Sequence, residues 1–253
     1  MVNICLVLHP LNTIKDVIEH TGLVRNIYAE HGKQTYYIIP VHLEPLLKKH
    51  LNDLTDMHFE IVPELSKNAL LRLLMGKYKN VKKRMFYGEY DNLRLDNYKN
   101  IFKTKYNSID YNPYTMYDYD ESIRFTSFKT NCYENHDKHM INLIKSVANM
   151  DYRIFSNGDM IPLQYKKNST IAIHINKMFN ITNFFDCIIL IEKTKHLHLT
   201  DTDEFSVFIY TLWKSGNYEY LFNKKHVFLF YKGESPIFTD LPASWKLIKN
   251  ITE

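Results

Sequence analysis

The chain is short of glycine, with 7 in 253 residues against 19 tyrosines and 15 phenylalanines. With abundant Lys, Asn and Ile, that mixture reads as the product of an AT-rich genome, a statement about codons and not about chemistry. Cysteine is scarce as well. Cys5, Cys132 and Cys187 stand far apart and form no CxxC pair, which argues against a disulfide framework and a zinc knuckle and points to a reducing compartment. No apolar run approaches the length of a bilayer span. The opening MVNICLVLHP lacks the basic leader of a signal peptide and passes directly into a strand pattern. No block of one charge sign exists either: a net charge of +4 is spread among acids. The densest basic run, KYKNVKKR (77–84), reads as a solvated strand edge and comes without any base-reading signature, so nucleic acid is not an expected partner. There is no internal repeat and no low-complexity linker. A soluble cytoplasmic globular protein is expected, with 45% hydrophobic and 24% charged residues.

Strand and helix patterns alternate along the first third of the chain. NICLVLHP (3–10), QTYYIIPV (34–41), HFEIVP (58–63) and VKKRMFYG (81–88) read as strands. Between them, 14–32, 43–54 and 65–76 read as helices, the first stopping on Gly32. Residues 89–130 break the rhythm, being rich in Tyr, Asp and Asn, and 134–150 reads as a connecting helix. Strand patterns then resume at 152–157, 170–175, 196–199, 226–231 and 245–248, with 183–194 helical. The fold class expected is α/β: two Rossmann-like halves facing across a cleft, divided as 1–133 and 134–253. Ligands of open parallel sheets bind beyond the carboxyl ends of the strands. Three strand-leaving loops therefore matter: HPLNTIKD (9–16), NGDMIP (157–162) and LTDTDE (199–204).

The third loop lies within HLHLTDTDEFSVF (196–208), where a strand hands over to a helix. Such a junction exposes main-chain N–H groups and the positive end of the helix dipole, and so can seat a phosphate. Thr200, Asp201, Thr202 and Asp203 are equally good helix caps that need no ligand. His196 and His198 share one strand face, and Asp201 or Asp203 could complete a zinc triad. Without an HExxH motif or a Cys/His pair elsewhere, no metal is expected.

Several stretches resemble the two-domain GT-B glycosyltransferases of a branch common in giant viruses and some bacteria. CLVLHPLNTIKDVIEHTGLVRNIY (5–28) is similar to that branch's opening strand, His-containing GLGD loop and GLVR helix, with Asp16, Gly22, Leu23, Val24 and Arg25 at matching spacing. HPLNTIK is two residues longer than the family loop and has no glycine. YDYDESIRFTSFKTN (117–131) resembles the segment before the connecting helix, with Arg124 and Phe128 at matching positions and Asn131 and Cys132 where an Arg and an Asp are usual. FFDCIILIEKTKHLHLTDTDEFSVFIYTL (184–212) resembles the strand, paired hydroxyls and helix that hold the donor diphosphate, with Thr202 and Asp203 in place of two serines.

The resemblance implies inverting, metal-independent transfer of a sugar from a nucleotide-diphosphate donor to a glycan or protein acceptor. The donor is a substrate, and no cofactor is implied. Asp16 is the candidate base that takes the proton of the attacking hydroxyl. Its alternative reading is a helix N-terminal acid. His9 is a candidate for orienting the acceptor or the base. His20, one turn beyond Asp16, is placed to meet it. Thr200, Thr202 and the helix N-terminus at 200–203 are candidates for the diphosphate, Asp203 for a cap or a ribose hydroxyl, and His198 lies beside them. Lys166 would supply positive charge and Tyr165 a stacking face for the base. The competing expectation is a degenerate relative with this fold that binds without turnover. Oligomeric state is open.

Overall fold

The computed structural model describes residues 5–8, 11–66, 83–86, 119–130, 150–156, 171–179 and 184–249, with 69, 72, 73, 75–78, 142, 146 and 147. The chain divides into two compact units, Met1–Lys129 and Thr130–Glu253.

The first unit holds four strands, β1 (Cys5–Leu8), β2 (Thr35–Pro40), β3 (His58–Val62) and β4 (Lys83–Phe86), in the order β3-β2-β1-β4. Every pairing in it is parallel. Parallel neighbours require crossovers, and helix α1 (Ile14–His31) is the first of these. Thr13 caps it in a reciprocal capping box with Asp16. Its apolar face, Ile14, Val17, Ile18, Val24 and Ile27, is buried. Gly32 closes it at φ 52°, its N–H donating to Tyr28 O, a left-handed stop that favours glycine. The helix α2 (Glu44–His50) ends four residues earlier than the pattern suggests.

One glycine in α1 has a packing reason. A Cβ on Gly22 would overlap the main-chain O of Ile123 and lie 2.9 Å from that of Arg124. The helix thus meets the one-turn helix Ile123–Thr126 backbone against backbone. The other matched motif residues belong to the same assembly. Arg25 forks onto Asp53 at 2.8 and 2.9 Å, Arg124 reaches Glu19 at 3.1 Å, and Phe128 is fully buried with its ring 5.8 Å from that of His50. Gly22→Ala is expected to lower unfolding free energy by about 2 kcal/mol, because a clash with main chain outweighs the gain of about 1 kcal/mol in helix propensity. Urea unfolding at neutral pH measures it, and an unchanged midpoint would remove the close-approach explanation.

The second unit carries five parallel strands, β5 (Arg153–Phe155), β6 (Ala172–His174), β7 (His196–Thr200), β8 (His226–Tyr231) and β9 (Lys246–Lys249), ordered β6-β5-β7-β8-β9. The helix α3 (Ile188–Lys193) follows a single 3₁₀ turn at Phe184–Cys187, and α4 (Glu204–Lys214) packs Phe205, Phe208, Ile209 and Leu212 into the core. Of the helix expected at 65–76, the described residues 69, 72, 73 and 75 are helical, while the one expected at 134–150 lies largely outside the described residues. No described helix is long and apolar enough to cross a membrane.

Candidate functional site

In each sheet the first strand has one neighbour that follows it directly and another reached across it. The order reverses between β1 and β4 in the first unit and between β5 and β7 in the second. Crevices at such reversals, beyond the carboxyl ends of the strands, are where open parallel sheets take ligands.

At the second reversal, Ser156 directly follows β5 and Thr200 ends β7, and both residues are fully buried. Ser156 N–H continues the ladder to His198 O at 2.9 Å. The next rung is made by a side chain: Thr200 N–H donates to Ser156 Oγ at 2.9 Å. Ser156 Oγ and Thr200 Oγ1 are 3.3 Å apart. Thr200 gives its hydroxyl proton to Asp203 Oδ2, so Ser156 is the donor between the two hydroxyls. Asp203 Oδ1 accepts Ser206 N–H at 2.9 Å, capping α4. The strand end, both hydroxyls and the helix start are therefore one connected unit. Ser156 was not singled out in the sequence, because its role depends on the pairing of β5 with β7, strands far apart along the chain.

Asp201 is 5% exposed, and its N–H donates to Phe230 O at 3.1 Å. Burial raises its pKa above the ordinary aspartate value, while the main-chain N–H of Ile237 opposes this by hydrogen bonding the carboxylate. Thr202 is exposed. Tyr165 and Lys166 fall outside the described residues.

His198 lies one pleat below this rim, inside the core. Its ring stacks between Phe155 at 4.6 Å and Phe228 at 4.9 Å, rungs set by the register of β5, β7 and β8. Burial lowers its pKa to about 4, with Arg153 and His196 adding repulsion, so the ring is neutral at neutral pH. His196 stacks on His226 at 5.1 Å. Among the described residues, no three His, Cys, Asp or Glu side chains gather in a metal-holding group.

At the first reversal, Asp16 sits in the first turn of α1, half-buried. Its Oδ2 accepts the N–H groups of Asn12 at 2.8 Å and Thr13 at 2.9 Å. His20 does come to Asp16, but to its main chain: Nδ1–H donates to Asp16 O at 2.7 Å. Helical side chains lean toward the N-terminus, which brings a residue's ring over the carbonyl four residues back. Burial holds His20 neutral, with its pKa lowered to about 4. His9 lies outside the described residues.

The architecture is that of two parallel-sheet α/β units, each with one reversal of strand order. The whole chain superposes on 89% of a crystal structure of a glycosyl transferase family 9 protein from Veillonella parvula, with a TM-score of 0.51 and 11% sequence identity. That likeness is one of fold, and with it the expected α/β fold of the GT-B kind is met. The sequence matches no family model and no curated protein.

Proposed function

We propose that the chain is a glycosyltransferase that takes a nucleotide-diphosphate sugar at the carboxyl edge of the second sheet. One observation carries this reading: the Ser156–Thr200–Asp203 linkage fixes the start of α4 against the end of β7, at the sheet's reversal point. The main-chain N–H groups of that helix start and the exposed hydroxyl of Thr202 would receive the diphosphate. Lys166 and Tyr165, which follow β5 in the sequence, would contribute charge and a stacking face. Asp203 keeps its carboxylate on the cap, where it is turned to Ser206 and Thr200. That engagement reduces its repulsion of a neighbouring phosphate. Asp16 in the first unit would take the acceptor's proton, and the acceptor is a glycan or glycoprotein. No metal is required by this arrangement of roles.

The test is a thermal-shift screen against UDP, GDP, CDP and dTDP and their sugars, with and without EDTA. One nucleotide is expected to raise the melting temperature in both conditions, because a ligand of the native state alone stabilises it. Thr202→Ala is expected to weaken that binding about fivefold, the worth of one hydrogen bond of about 1 kcal/mol. No shift with any member of the panel would remove the donor site.

A second reading, a non-catalytic relative that binds a nucleotide or sugar without turnover, is favoured by a different observation. Two carboxylates beside the reversals, Asp16 and Asp203, are engaged in capping helices. Nucleotide binding without release of nucleoside diphosphate from any donor sugar would select it.

A further inference from the structure

His42 follows β2 and, like α1's entry loop, lies at the carboxyl edge of the first sheet. It is exposed, and its Nε2–H donates to the main-chain O of Asn12 at 3.2 Å. The N–H of that same Asn12 donates to Asp16 Oδ2 at 2.8 Å. His42 and the Asp16 carboxylate are thus joined through a single residue, Asn12. His20, by contrast, is buried against the Asp16 carbonyl and turned away from solvent.

We propose that His42 is a positioning residue for Asp16, holding Asn12 so that its N–H orients the carboxylate for proton abstraction from the acceptor hydroxyl. The role rests on the glycosyltransferase reading and concerns the acceptor side of the reaction. The Asn12 carbonyl shares its peptide unit with the N–H of Thr13, which donates to the same Asp16 Oδ2 at 2.9 Å, and hydrogen bonds in series polarise one another, so the bond at Asn12 O strengthens the one made by Thr13 N–H. It also restrains an otherwise exposed loop residue, and catalytic geometry is sensitive to sub-ångström displacement. The interaction needs one N–H donor and no charge, so an amide side chain can replace the imidazole.

The assay is release of nucleoside diphosphate from UDP-, GDP-, CDP- and dTDP-sugars by the full chain, in the presence of an acceptor sugar mixture. His42→Ala is expected to lower kcat about fivefold, equivalent to one hydrogen bond of about 1 kcal/mol, with the donor KM unchanged. His42→Gln should restore most of the loss, and the melting temperature of both variants should stay within about 2 °C of the parent. In an Asp16→Asn background, His42→Ala should cost nothing further, because its effect passes through the carboxylate. A parent chain that turns over donor while His42→Ala keeps full kcat overturns the role of His42 and leaves the enzyme reading standing. Losses that add in the double variant also overturn it. A parent chain with no turnover on any donor overturns the enzyme reading and this role together.

Discussion

Unfolding free energy is expected to fall steeply as the pH drops from about 6.5 toward about 4, well before most carboxylates are protonated. Three buried histidines cause it. His20 and His198 have pKa values lowered to about 4, and His50 lies well below its ordinary 6.5, in each case chiefly by burial. Positive neighbours add to the effect, Arg124 at His20, Arg25 at His50 and Arg153 at His198. The sign follows from proton counting: between the folded and unfolded values the unfolded chain binds more protons, so stability rises with pH there and is lost on acidification. A ring that titrates at 6.5 when unfolded and about 4 when folded costs about 2 kcal/mol at pH 5 and about 3 below pH 4. Two such groups, with His50 acting in the same direction, remove a large part of the ordinary 5–15 kcal/mol of a folded domain. Urea titrations at about pH 7.5 and about pH 5 check it, with a midpoint expected to fall sharply. His198→Phe replaces the imidazole by a ring that continues the stack between Phe155 and Phe228. It is expected to remove about 2 kcal/mol of the pH dependence. Equal stability at the two pH values would refute the burial of neutral rings.

These histidines show where sequence reading ends. Alternation put His196 and His198 on one strand face, and their strand is where the pattern placed it. That the face is a ladder of rings depends on β5 and β8 lying on either side of β7, which no local pattern reveals. His50 is similar. Its Nε2–H donates to Thr21 Oγ1 at 2.9 Å, and that hydroxyl donates to Val17 O at 2.6 Å. The bond joins α2 to α1 across 29 residues. His42 was passed over for the same reason, since its partner Asn12 is 30 residues away.

The legible parts were those with short-range causes. The capping box of Thr13 and Asp16, the stop at Gly32 and the handover at 200–204 are all written within a few residues. The resemblance to glycosyltransferases is legible in a more limited sense. The residues on which it rests, Gly22, Arg25, Arg124 and Phe128, all fall in one packing assembly around α1. What those positions do here is seat the 120–130 segment. They speak for the fold and say little of the reaction, which must be argued from Asp16 and from the strand ends of the second sheet.

Asp16→Asn is the substitution that separates those two arguments. It is expected to lower kcat by a factor of about 100 or more, the usual worth of a general base, while the donor KM and the fold are retained. An asparagine oxygen can still accept the N–H groups of Asn12 and Thr13, so the N-terminus of α1 stays capped. What it cannot do is accept a proton at neutral pH. Asp16→Ala removes both functions and is expected to add a stability loss of about 1 kcal/mol from the broken cap. The pair of variants therefore resolves cap from base. Loss of turnover in both, with loss of stability confined to Ala, assigns the carboxylate to catalysis as well as to structure. Full activity in Asn would make Asp16 a helix cap alone. Unlike a pH profile, this comparison does not pass through the histidine-driven loss of stability, because both variants are measured at neutral pH where His20 and His198 are uncharged.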